Sequence, residues 1–221
     1  MTSLFVTHQE PTLTEQAYRR LEEMIVTLEL SPGSAVSEAV LSTQIGIGTT
    51  PVREALQRLA RHYLVQIFAR RGVVITAVDV NQQLQILETR RELERLVARL
   101  ASRRATDEER EALVLLAEHF EAIGASVQEL RVFLRCDAEL NARMVTLARN
   151  PIAGDALLAL HPSSRRFWFF HHRNGRSGQP TAKVHAVLAR AIAAGSETQA
   201  LDACEALISE AVEFAKGTLA L

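Results

Sequence analysis

Cysteine is almost missing from this 221-residue chain: Cys136 and Cys204 are its two, both inside helical patterns and without CxxC spacing. That argues against a disulfide framework or zinc knuckle and fits reduced, half-buried thiols. A catalytic cysteine would need a nearby histidine and a third orienting group, and no such arrangement is recognisable. Uninterrupted apolar runs of about 18 residues are missing, and the start, MTSLFVTHQEPT, lacks a basic segment followed by an apolar one. Neither a membrane span nor a secretory signal is visible, so a cytoplasmic protein is expected. A surplus of one charge is missing too, since 25 basic residues against 26 acidic ones leave −1. That composition argues against a bulk polyanion binder.

The length suggests one small and one medium domain, with apolar residues for two cores. Thr12-Leu13-Thr14-Glu15 reads as a capping box opening a helix that carries Ala17, Leu21, Met24, Ile25 and Leu28, and Ser31-Pro32-Gly33 is expected to end it. Residues 1–12 are expected to be a flexible arm.

Residues 37–75 then read as two short helices about a glycine turn, followed by a small hairpin. Val40, Leu41 and Ile45 are expected on one face of the first helix, and Gly46 and Gly48 free the backbone to turn. Thr50 is the expected N-cap of the second helix, with Pro51 at its first position and Val52, Leu56 and Leu59 facing a core. Thr49, Thr50, Arg53, Gln57 and Arg58 then lie near the helix start or off the apolar face, where a recognition helix presents donors to bases and phosphates. Residues 64–68 and 73–76 read as strands, with Arg70-Arg71-Gly72 as the turn between them. This is the layout of a winged helix-turn-helix, a reader of duplex DNA.

Charge is distributed to match. Residues 49–75 hold Arg53, Arg58, Arg61, Arg70 and Arg71 against Glu54, a balance of 5 − 1 = +4. A handful of arginines binds phosphates weakly in one subunit and much better in two joined subunits, so a homodimer is expected. The alternative is that these arginines are a solvated face of a small helical domain.

Residues 77–81 form a short polar joint, and from 82 to 221 the pattern changes to long amphipathic helices. Expected spans are 82–104, 107–123, 127–149, 152–173, 181–194 and 197–217, with capping boxes at Thr106/Glu109, Ser126/Glu129 and Ser196/Gln199. The predicted fold is mainly α: a winged helix-turn-helix domain over 13–76 followed by an all-helical bundle.

In this arrangement the chain resembles the GntR family of bacterial transcription regulators, in the FadR subgroup with a C-terminal FCD ligand domain. Thr50-Pro51-Val52-Arg53-Glu54-Ala55-Leu56 carries the most specific likeness, joined by Pro32-Gly33, Arg71-Gly72 and the Arg90 to Glu94 stretch. The resemblance implies a regulator, repressor or activator, that binds a palindromic operator as a homodimer and changes its grip when a small metabolite, often an organic acid, occupies the helical domain. It assigns Arg53 to the operator, Thr50 to a phosphate or base, and Arg71 to the wing's groove contact. The chain departs from many relatives in having Gly48 and Thr49 where they have serine and arginine, and Ala39 where some have arginine.

Many FCD proteins hold a divalent metal such as zinc or nickel with an aspartate, a histidine four residues on and two later histidines. Asp137 and His185 match that pattern, while Asn141 and Leu207 occupy the other two positions. Leucine offers no ligand atom and an amide oxygen is a poor donor for zinc or nickel, so no cofactor is assigned with certainty. His161, His171 and His172 are nearby alternatives. Without a metal, the same pocket would hold an effector directly, lined by Arg90, Asp137, Asn141, Arg165, Arg166 and His185, with guanidiniums suited to a carboxylate. Alternatively, Phe167, Trp168 and Phe170 are core or dimer contacts and the arginines pair with glutamates on neighbouring helices.

Two other classes compete. An enzyme using Asp137 and His185 as an acid/base pair would lack a third positioned group and an electrophile stabiliser. A helical protein-interaction scaffold with a non-specific DNA-binding wing domain would be told apart by the ratio of operator to random-duplex affinity.

Overall fold

Thr12 opens the first helix by accepting the Glu15 N–H on its hydroxyl, at 3.2 Å, in the computed structural model of the chain. The structure describes residues 11–69, 72–124, 126–173 and 178–220. Most of the expected N-terminal arm, and Arg70 and Arg71, lie outside the described residues. Contacts divide the chain into two units, between Ala77 and Val78.

The first unit orders α1 (Leu13–Val26), β1 (Ala35–Val36), α2 (Glu38–Ile45), α3 (Thr49–Arg61), β2 (Val65–Phe68) and β3 (Gly72–Ile75). Its sheet runs β1-β3-β2, antiparallel throughout, with Val73 opposite both Val36 and Ile67. Leu21, Met24 and Ile25 of α1 meet Leu41 of α2, Val52, Leu56 and Leu59 of α3, and Val73 and Ile75 of the sheet in one buried cluster. Burying such aliphatic side chains stabilises the fold by about 1.5–3 kcal/mol each.

Several local details differ from the sequence reading. Helix α1 stops at Val26, before Ser31-Pro32-Gly33, because Leu28 takes a left-handed φ of 63° and the Leu30 N–H returns to the Met24 carbonyl at 3.0 Å. That exit puts Leu30 in the core. Val40 is 58% exposed, and Leu41 is the buried member of α2, since eight residues present little more than one inward position. Gly48, not Thr50, is the N-cap of α3, and the Val52 N–H bonds the Gly48 carbonyl at 3.2 Å. Pro51 therefore sits inside the first turn, where its missing N–H has no intrahelical acceptor to lose. Gly46 does make the turn, as a left-handed C-cap with φ 70°. At Gly72 φ is +86°, and an added Cβ would lie 2.8 Å from the Val36 carbonyl oxygen, so the sheet closes there only around a glycine.

The second unit is a bundle of α4 (Val80–Arg104), α5 (Asp107–Glu121), α6 (Val127–Ala148), α7 (Pro151–Leu158), α8 (His161–His172), α9 (Gln179–Ala193) and α10 (Glu197–Gly217). Asp79 caps α4 two residues before the expected start, accepting the Gln82 N–H. Thr106/Glu109 and Ser126/Glu129 form reciprocal capping boxes, while Ser196 caps α10 by accepting from the Gln199 N–H. The single helix expected over 152–173 is two. Pro162 in the first turn of α8 would remove an N–H and press on the preceding turn if the helix ran on from α7, so the chain breaks at Ala159 and Leu160. Among the described residues no helix is long and apolar enough to cross a membrane.

Candidate functional site

Two places gather the polar side chains that the sequence singled out, one in each unit. On α3, Thr49, Thr50, Arg53 and Gln57 are exposed, while Val52, Ala55, Leu56 and Leu59 face the core. The amphipathic spacing therefore leaves the helix start and one flank open to a partner. Arg53 reaches back to α2, where its Nε and Nη2 meet Glu38 Oε2 at 2.9 and 2.8 Å. That contact raises the Arg53 pKa above its ordinary value, through the hydrogen bond first and the charge of Glu38 second.

Arg58 belongs to a different surface. Its Nη1 meets Glu15 Oε2 at 2.7 Å and its guanidinium lies 3.7 Å from the centre of the Tyr18 ring, joining α3 to α1. Glu15 also holds Arg19 at 2.7 Å. This explains why the expected capping box at Thr12 is only half made: the Glu15 carboxylate is turned toward arginines. Although burial works against it, Glu15 is held below the usual carboxylate range by its bonds to Arg19 and Arg58. Gly72 is described above; Arg70 and Arg71 lie outside the described residues.

The second place is a cavity of about 570 Å³ within the helical unit, counting its open mouth. Helical periodicity builds it. Leu207, Glu210, Ala211 and Phe214 make one stripe of α10; His161, Ser164, Arg165 and Trp168 make another on α8. Thr181 and His185 come one turn apart from α9, Phe133 and Asp137 from α6, and Gln83 and Arg90 two turns apart from α4.

Asp137 is the hub. Its Oδ1 accepts from Asn141 Nδ2 and faces His185 Nε2, both at 3.1 Å, and its Oδ2 lies 3.5 Å from Arg165 Nη1. Burial pushes its pKa up, but the His185 bond and the nearby cationic groups outweigh that and hold it well below the carboxylate range. His185 donates its Nδ1–H to the Thr181 carbonyl at 2.7 Å, which aims Nε2 at Asp137. Phe120 and Phe133 flank the ring, with centroids 5.3 and 5.1 Å away.

Arg90 is buried and paired with Glu94 at 2.7 Å. His161 Nε2 stands 3.6 Å from the same carboxylate, and burial followed by the charge of Arg90 pushes its pKa well down. Thr181 accepts from Trp168 Nε1 at 3.4 Å and donates to Glu210 Oε1 at 3.0 Å.

The predicted cavity residues are thus only partly brought together. Arg90, Asp137, Arg165 and His185 line one space, and Asn141 supports it from behind Asp137. Arg166 points elsewhere, into a small recess with Asp79, Gln82 and Ile86, where burial lowers its pKa to about 10. Of the alternative histidines, His161 lines the cavity, while His172 stacks on Trp168 at 4.1 Å and donates to its carbonyl. Sequence reasoning missed Glu38, Glu94, Thr181 and Glu210. For Glu94 the signal was the (i, i+4) spacing from Arg90, and for Glu210 its position three residues after Leu207 on a helix.

A transition-metal centre does not fit these side chains. Leu207 offers no donor atom, Asn141 presents its amide N–H to Asp137, and the Arg165 guanidinium stands beside the remaining oxygen. No group of three or more histidine, cysteine, aspartate or glutamate side chains among the described residues is arranged to hold a metal ion. Cys136 is half-buried and Cys204 buried, and burial pushes both thiols up, away from the reactive thiolate.

Family comparisons agree with the two-unit architecture. Residues 13–75 match the model of bacterial regulatory proteins of the gntR family, and residues 85–210 match the FCD domain. The chain is 34% identical to the Nta operon transcriptional regulator of Aminobacter aminovorans over 58% of this chain and 60% of that one. It is 47% identical to an HTH-type transcriptional regulator in an unstable DNA locus of Streptomyces ambofaciens, over 28% of this chain and 26% of that one. The matched parts thus span less than two thirds of either relative. Over 95% of its length the chain shares the fold of E. coli McbR/YncC, all of which is covered, with a TM-score of 0.75 at 18% identity. The chain belongs to the GntR family of bacterial regulatory proteins, in the group whose second domain is an FCD domain.

Proposed function

We propose that this protein is a cytoplasmic, metabolite-responsive repressor of transcription that binds a palindromic operator as a homodimer and releases it when an organic acid enters the helical cavity. One observation carries the reading: the same chain pairs an exposed, arginine-bearing helix with a separate cavity walled by buried polar side chains. Relatives named as transcriptional regulators, among them the repressor RspR of E. coli K12 at 28% identity over 68% of this chain, support it.

On this reading α3 enters the major groove with Thr49, Thr50, Arg53 and Gln57 toward bases and phosphates, and Arg71 is assigned by the family resemblance to a groove contact. Two copies of α3 would be spaced by one duplex turn, about 34 Å. Arg165 and Arg90 take the effector's carboxylate in place of a metal. Occupancy acts by favouring one spacing of the two α3 helices, because only differential affinity shifts an equilibrium.

The test begins with enrichment of binding sequences from a random duplex library, followed by titration of the winner and of scrambled duplex at one stated salt concentration. A regulator discriminates by roughly a thousandfold or more. Equal affinity for both duplexes would instead favour the scaffold with a non-specific wing.

A further inference from the structure

The cavity walls keep atoms whose needs the protein does not meet. Glu210 Oε1 accepts from Thr181, but Glu210 Oε2 is buried without a hydrogen-bond partner; Asp137 Oδ2 and His161 Nε2 also lack one, although each has a charged group at 3.5–3.6 Å, Arg165 and Glu94 respectively. Two of these three are carboxylate oxygens, which can only accept. A plain carboxylic acid brings more acceptors, so it would meet Arg165 and Arg90 yet leave Glu210 Oε2 as orphaned as before. A buried acceptor left without a donor is costly, so such an atom in a cavity wall takes its donor from whatever fills the cavity, and a ligand with a well-placed donor can take it over from water. A protonated amine supplies three N–H groups.

The remaining wall is apolar and aromatic, formed by Phe133, Phe167, Trp168, Leu207 and Phe214. It calls for an uncharged body of matching bulk.

We infer that the cavity takes a zwitterion, an amino-acid-like metabolite whose carboxylate meets the arginines, whose protonated amine meets Glu210 and whose apolar body lies on the aromatic wall. This rests on the proposed role of the cavity as the effector site, and names the class of effector. Glu210 becomes a specificity residue: it sets which acids enter.

Calorimetric titration of the full-length chain with three matched probes tests the inference. The probes are L-phenylalanine, 3-phenylpropanoate, which lacks the amine, and 2-phenylethylamine, which lacks the carboxylate. Phenylalanine should bind at least roughly tenfold more tightly than either of the others. Glu210→Gln keeps the oxygen that Thr181 bonds and removes the charge, so it should bring phenylalanine and phenylpropanoate within about threefold of each other. Its melting curve, matched to the parent, shows that the bundle is intact.

Equal binding of phenylpropanoate and phenylalanine by the parent chain overturns the zwitterion and leaves the organic-acid reading standing. Equal binding of phenylethylamine overturns both, and failure of all three probes to bind overturns the zwitterion with an aromatic body while leaving the organic-acid reading standing. An unchanged preference in Glu210→Gln removes Glu210 from the site.

Discussion

Arg53 and Glu38 are locked together across the turn between α2 and α3, guanidinium to carboxylate at 2.8 Å. The arginine proposed to reach DNA is therefore occupied by an acid of its own domain. Any duplex must displace that acid or use the side of the guanidinium it leaves open. Glu38→Gln should accordingly raise affinity for scrambled duplex several-fold and make binding more salt-dependent, because one more positive charge is available to phosphates. Arg53→Ala should weaken operator binding by roughly five- to 150-fold, as expected for loss of a bidentate base contact. Fluorescence anisotropy at two salt concentrations measures both, and an Arg53→Ala protein with parental operator affinity would remove the central residue of the DNA-reading proposal.

Arg58 should behave differently. Its contacts with Glu15 and Tyr18 are within the domain, so Arg58→Ala is expected to cost about 1 kcal/mol of stability, the pair being partly exposed and discounted for solvent. For a domain of this size that lowers the melting temperature by about 4–8 °C. Operator affinity measured well below the melting transition should stay within a few-fold of the parent. A large affinity loss at unchanged stability would instead assign Arg58 to the interface with DNA.

Gly72→Ala tests the closure of the wing. A left-handed φ of +86° and a Cβ set 2.8 Å from the Val36 carbonyl oxygen together imply a loss of about 1–3 kcal/mol. Denaturant unfolding should show this as a lower midpoint with an unchanged slope.

Acid should act on the helical unit through Asp137. Its carboxyl is depressed in the fold relative to the unfolded chain, so it contributes stability above the unfolded value of about 3.9 and loses that contribution as pH falls below it toward the folded value. Stability of the parent should therefore decline steeply below about pH 4. Asp137→Asn should be less stable near neutrality and show a flatter acid limb. Equal slopes for the two proteins would sever the link between this carboxylate and acid unfolding.

Restoring the missing ligands tests the account of the metal pattern. Asn141→His together with Leu207→His would complete four side-chain donors with Asp137 and His185. Zinc affinity, read by competition with a chromogenic chelator, should rise by roughly a hundredfold or more over the parent. Tight zinc binding by the parent itself would show that the present donors suffice.

Much of the fold could be read locally because its causes are local. Thr106 and Ser126 open helices and Gly46 ends one, through bonds spanning five residues or fewer. The core positions Leu21, Met24, Val52, Leu56 and Leu59 followed from spacing alone. What escaped depends on partners distant in sequence. Glu15 abandons its capping role for Arg58, 43 residues away, and Val40 has the hydrophobicity of a core residue but not the address of one. The same holds in the cavity: that Arg165 faces it while Arg166 does not is settled by the rotation of α8, which starts afresh at His161. Glu210 had only its place three residues after Leu207 to mark it, and the meeting of α9 and α10 reveals its bond to Thr181.

The fork at Arg165 and Arg166 makes α8 a crankshaft. One guanidinium lines the cavity, and its sequence neighbour lines a recess shared with Asp79 and Gln82 at the opening of α4. A small roll of α8 toward a guest would swing the second arm by the same angle, all within the helical unit. Cavity and recess would then be linked by two adjacent arginines a hundred degrees apart on one shaft.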